Sequence, residues 1–210
     1  MPRDPAVPAA PAAAAAATAA TAPAEALLAQ LQAYTPYLCG QVAAEVLLVK
    51  GIPGPAELAG GGVFSGPDGP ALSAILERLG WGSANWLGVL LGWEDRPDLS
   101  AYDLRLIIEI DDPLLVIATD VAACRLLLAA MTLPAAAEAD WLYENESASA
   151  PIASVSPPIS PPTAWQVGSE IQLLGRRFFA LEGFEASLTD THAKQQVWMQ
   201  LKQIRRGDGS

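Results

Sequence analysis

The residues best placed to do chemistry lie in two glycine-rich turns that follow a short apolar run. Lys50-Gly51-Ile52-Pro53-Gly54 comes directly after Val46-Leu47-Leu48-Val49, and Gly60, Gly61, Gly62 and Gly66 surround Phe64. In an open α/β sheet, ligands bind in the crevice beyond the carboxyl ends of the strands, so this loop is a candidate ligand loop. Metal chemistry is poorly provided for. Cys39 and Cys124 are the only cysteines and His192 the only histidine. At such separations they build neither a structural zinc site nor an iron–sulfur cluster. Both thiols read as buried free cysteines. Asp111-Asp112, before Pro113, reads as a helix end, because no convergent partner accompanies it for metal or general-base work. No cofactor and no metal are expected.

The elements that would position this loop follow from hydropathy. Val46 to Val49 reads as a strand buried on both faces. Leu72, Ile75, Leu76 and Leu79 recur at three- and four-residue spacing, the stripe of an amphipathic helix. Trp86 to Leu91 and Leu114 to Ala118 predict two more strands. Helices are expected from about Ala101 to Ile110 and from Val121 to Ala130, the second capped by Thr119-Asp120. Strands alternating with helices at this spacing indicate parallel βα units. Glu170 to Leu174 and Arg177 to Leu181 predict a hairpin around Gly175-Arg176. A last helix is expected from about Thr191 to Ile204, with Val197, Trp198, Leu201 and Ile204 on one face. The predicted fold is α/β, a three-layer α/β/α sandwich with a mostly parallel sheet of four or five strands.

Outside that domain, residues 1–24 are alanine, proline and threonine with little else and read as a disordered leader. In residues 25–40 the residues Leu27, Leu28, Leu31, Tyr34, Tyr37 and Leu38 fall at helical spacing. They suit either a helix packed on its own domain or a tethered peptide that docks on a partner. The domain proper spans 41–206, with a Ser/Pro-rich insertion at 144–163 too long for a compact connection and expected to be mobile. Alanine in the leader inflates the 51% apolar content, so the core estimate rests on the later residues. A formal net charge of −11 argues against a strong direct grip on nucleic acid. Arg176-Arg177 and Arg205-Arg206 read as solvated turns and helix ends, and Trp81, Trp86 and Trp93 as core or edge aromatics. No apolar run reaches the ~18 residues that span a bilayer, and no signal peptide is evident. A cytoplasmic protein is expected.

The order of motifs resembles the uracil-DNA glycosylase superfamily, most closely its bacterial family with the motif GEAPG. Pro53-Gly54 matches the end of that motif, and Val63-Phe64-Ser65-Gly66-Pro67-Asp68-Gly69 is similar to PFVGPAG. Leu114 to Ala123 resembles VIVALGATAA, and Lys194 with Trp198 to Lys202 resembles KxxxWxDLK. The resemblance implies that Phe64 stands at the base-stacking position and Gly51 at the water-positioning one. It puts the base-reading amide near Val89 and the oxyanion-stabilising histidine at Gly183. Gly51, Pro53, Gly54, Phe64 and Gly183 would then be a vestigial pocket, with no catalytic residue among them. Glu182 and Glu185 would occupy the loop that presses on DNA, where phosphate repels them.

One group that keeps this fold without the activity is the psi subunit of the bacterial DNA polymerase III clamp loader, and the chain is similar to it in further segments. Leu31-Gln32 followed by Tyr37-Leu38 resembles its N-terminal LQxxxxxxW peptide, with Tyr37 in place of the tryptophan. Leu72 to Leu79 resembles SDVLRAL, and Ser187 to Trp198 resembles LTDLxxNPxAKxxLWQQI. This implies a non-catalytic adaptor that links the clamp-loader subunits gamma and tau to a chi-type subunit, and through it to single-strand-binding protein. Leu28, Leu31, Tyr34, Tyr37 and Leu38 would bind the partner. The alternatives are a uracil-DNA glycosylase acting in base-excision repair and an unrelated protein-interaction domain.

Overall fold

Five consecutive buried residues, Val46–Lys50, form strand β2 at the centre of a sheet. The computed structural model describes residues 29–132 and 165–206. The expected leader, Leu28 and the Ser/Pro-rich insertion lie outside the described residues. Six strands are seen among those described: β1 (Leu38–Gly40), β2, β3 (Trp86–Leu90), β4 (Leu115–Ala118), β5 (Glu170–Leu173) and β6 (Arg176–Ala180). Their order is β1-β3-β2-β4-β6-β5. The four inner strands run parallel, while β1 is antiparallel to β3 and β5 to β6.

Registers Val49↔Val89, Val49↔Ala118 and Ala118↔Ala180 bring the carboxyl ends of the inner strands level. The chain leaves β2 toward β3 on one side, and leaves β4 toward β6 on the other. The crevice between β2 and β4 is therefore where the strand order reverses, the usual ligand position of such sheets.

The helices are α1 (Pro55–Leu58), α2 (Asp68–Arg78), α3 (Ala101–Asp111), α4 (Val121–Thr132), α5 (Phe184–Ser187) and α6 (Thr191–Leu201), the last continued by a 3₁₀ turn at Lys202–Ile204. Local sequence explains their starts. Ser100 Oγ accepts from the Asp103 N–H while Asp103 returns the bond to the Ser100 N–H, a reciprocal cap on α3. Asp120 caps the start of α4 through Ala123 N at 2.9 Å, as its position predicts.

Strand residues of one face, Val46, Leu48, Leu115, Ile117 and Phe179, join Leu72 and Leu76 of α2 and Val197 and Leu201 of α6 in one apolar cluster. Their sequence neighbours Leu47, Val49, Val116 and Phe178 point the other way and are equally buried. On β2 and β4 lies α4, which also packs on α3.

Three expectations need correcting. The helix read from residue 25 to Leu38 ends early: a 3₁₀ turn occupies Thr35–Tyr37, and Leu38–Gly40 is strand β1. Gly40 adopts φ +95, and a Cβ there would meet Trp86 O at 2.4 Å, so the chain turns where only glycine fits. The sheet has six strands because β1 and β5 add antiparallel edges. The arginine pairs are not simply solvated. Arg177 grips Glu170 through two bonds of 2.8 Å, Arg206 holds Glu45, and both guanidinium groups lie over the Trp81 ring. Trp81 itself donates to Ile204 O at 2.8 Å, closing the C-terminal end onto the loop after α2. Among the described residues, no helix is long and apolar enough to cross a membrane.

Candidate functional site at the carboxyl ends of the strands

Lys50 is the last residue of β2 and is 3% exposed. A charged ammonium this deep costs several kcal/mol unless anions surround it. Three do. Its Nζ donates to Asp68 Oδ2 at 2.7 Å and to Glu57 Oε1 at 2.9 Å, and lies 2.8 Å from Glu185 Oε2. Burial pulls the lysine pKa down, but the hydrogen bonds to Asp68, Glu185 and Glu57 outweigh it and raise it well above the usual range. The ammonium stays charged at any physiological pH.

Each carboxylate arrives by a local device. Glu57 stands in the third position of the one-turn helix α1, which Pro55 opens. Its second oxygen accepts from Gly54 N at 3.0 Å, and its first also accepts from Phe64 N at 3.0 Å. Asp68 begins α2, where the helix dipole favours a negative charge. Its Oδ1 is buried without a hydrogen-bond partner. Glu185 sits on α5 and turns inward; its side chain is 23% exposed. The position expected to press on DNA is instead spent on Lys50.

Phe64 closes the space beside this cluster. Its backbone has φ +54, a conformation that costs a non-glycine residue energy and persists only where the surroundings enforce it. The ring packs edge-on against Trp86, 5.8 Å between centroids, with Lys50 Nζ 5.6 Å from its centre. Gly88 makes room for it: a Cβ there would fall 2.7 Å from Phe64 Cδ2. At 5% exposure, Phe64 presents no free face for a base.

The other expected pocket residues do converge here. Asp120 Oδ2 accepts from Gly51 N at 2.7 Å and from Ile52 N at 3.3 Å, bridging the loops after β2 and β4. Asp120 also pairs with Gly183 in an isolated bridge, and Phe184 N donates to Thr119 O at 2.8 Å. The space is taken. A Cβ on Gly51 would meet Asp120 Oδ1 at 2.5 Å, and one on Gly54 would meet the Glu185 carboxylate at 2.1 Å. Val89, near the expected amide position, is wholly buried inside β3. Pro53 is half-buried at the loop's end.

Of the expected partner-binding residues, Leu31 is buried and Tyr34 half-buried in the first of two compact units, Met1–Pro36. Tyr37 and Leu38 belong to the second, Tyr37–Ser210. There the Tyr37 hydroxyl donates to Pro97 O at 2.7 Å, and Leu38 pairs with Val89. Tyr37 is thereby anchored to the domain.

Neither thiol is primed for nucleophilic work. Burial pushes Cys39 up to about 11 and raises Cys124 as well. Among the described residues no group of three or more His, Cys, Asp or Glu is arranged to hold a metal; within the acidic trio the cation is Lys50. Lys50, Glu57, Asp68 and Asp120 were not foreseen as a site. One signal was present: a lysine ending a run of four buried aliphatics must meet an anion. No protein-family model matches the chain, and neither does any curated protein.

Proposed function

We propose that this chain is a non-catalytic adaptor with a glycosylase-like fold, a psi-like subunit that links the clamp-loader subunits gamma and tau to a chi-type subunit and so to single-strand-binding protein. The observation that carries the non-catalytic part is the filled crevice: Phe64 and the Lys50–Glu57–Asp68–Glu185 cluster occupy the ground where a flipped base would lie. Gly51 and Gly183 bring no side chain to that ground. The six-stranded sheet with its helices is compatible with the three-layer glycosylase-like sandwich. The adaptor part rests on the motif order and on the Leu31–Leu38 segment, which leads into the edge strand β1. The site separates the two roles, because the fold alone would allow either.

The test is co-purification of the tagged full chain with purified gamma or tau and chi. A stoichiometric complex is expected, weakened by Tyr34→Ala together with Leu28→Asp while circular dichroism is unchanged. No complex with any of them would leave a protein-interaction domain outside replication. Uracil release from single- or double-stranded DNA would overturn the reading in favour of a repair enzyme.

A further inference from the structure

Between α2 and α6 the surface is open. Ile75 and Arg78 on α2, Phe184 on α5, Leu188 just after it, and Lys194 and Trp198 on α6 border a groove of about 480 Å3. Its floor is continuous with the core: Phe184 is buried, and Ile75, Leu188 and Trp198 pack partly buried against the same apolar cluster. Its rim is cationic. Arg78 and Lys194 are exposed and take part in no ion pair among the described residues. Lys202 Nζ stands 5.4 Å from the Trp198 ring centre. Among the described residues no carboxylate lines the groove, although the chain carries 23 acidic and only 12 basic side chains. The lining therefore runs against the charge of the whole molecule. Met199, the residue after Trp198, is 63% exposed.

We propose that this groove docks an acidic amphipathic peptide of a partner protein. The peptide's apolar side chains would lie on Ile75, Leu188 and Trp198, and its carboxylates would meet Arg78, Lys194 and Lys202. Apolar contact supplies the affinity, and the complementary charges set orientation and encounter rate. The proposal does not depend on the replisome reading, since the groove would take such a peptide from any partner.

Fluorescence anisotropy on the full chain tests it. The probe is a labelled peptide with leucine and phenylalanine on one helical face and glutamate on the other. Saturable binding is expected, about tenfold weaker for Arg78→Glu with Lys194→Glu, whose exposed positions leave the circular dichroism unchanged. The same variant is expected to gain binding to a matched peptide carrying lysine in place of glutamate. Equal binding by wild type and variant, or no saturable binding, would overturn the proposal. So would competition by labelled oligothymidylate, which would mark a nucleic-acid surface. A last overturning result is binding that appears only after Glu138, Asp140, Glu144 and Glu146 are changed to their amides, since the chain's own acidic stretch would then be the occupant.

Discussion

A lysine at the end of a buried strand must either shed its proton or collect anions, and Lys50 collects three. All three carboxylates converge on the one ammonium, so the lysine holds the cluster together. Taking the ammonium away leaves Glu57 and Asp68, with side chains 0% and 2% exposed, facing each other without a cation. Lys50→Met is therefore expected to lose about 3–5 kcal/mol, the usual cost of orphaning a buried ion pair. Adding Glu57→Gln and Asp68→Asn should recover most of it, because the orphaned charges go too. Urea midpoints of the three proteins check this; a Lys50→Met midpoint equal to wild type would show that the cluster is not closed to water. Little of this was legible in the sequence. Phe64 and the glycines could be located from their motifs, but spacing gave no hint that Glu185, 135 residues after Lys50 (185 − 50), would turn in to meet it.

At the scale of elements, long periodic segments were readable and single turns were not. The strands at Val46, Trp86 and Leu115 and the helices of eleven or twelve residues each carry several apolar positions in register. By contrast α1 and α5 are four residues each and β1 is three, too short to show a period. The two one-turn helices deliver Glu57 and Glu185, so half of the Lys50 cluster comes from elements too short to read, and Lys50 and Asp68 come from β2 and α2.

A further buried carboxylate fixes how α3 meets the sheet. Asp111, its last residue, accepts from Ala43 N at 2.7 Å and Ala44 N at 3.4 Å just ahead of β2, while its Oδ2 is buried without a partner. Burial raises its pKa to about 6 from 3.8; the two backbone donors oppose the rise and Asp112 adds to it. The folded state thus holds this proton more tightly than the unfolded chain. Its contribution is complete below the unfolded value of 3.8 and is lost as pH climbs through about 6. The loss is on the order of 3 kcal/mol. Asp111→Asn should remove that downward slope and be the more stable protein at neutral pH, with the difference vanishing near the acid end. Urea denaturation across the window measures it; an unchanged slope in the variant would assign the pH dependence to other groups.

Across the whole molecule the charge is unevenly spent. A chain with net charge −11 buries a lysine among carboxylates at the sheet's carboxyl edge, and among the described residues Arg78 and Lys194 at the groove between α2 and α6 take part in no ion pair. The groove between α2 and α6 is open and the crevice at the strand ends is filled, an arrangement that suits the proposed adaptor. Hydrogen exchange of the full chain, taken alone, with gamma and tau, and with uracil-containing DNA, addresses that most directly. New protection between Leu31 and Leu38 is expected when the clamp-loader subunits are added, and no change at Gly51, Phe64 or Gly183 with DNA. Protection of those three positions by uracil-containing DNA, with none anywhere from the clamp loader, would contradict it.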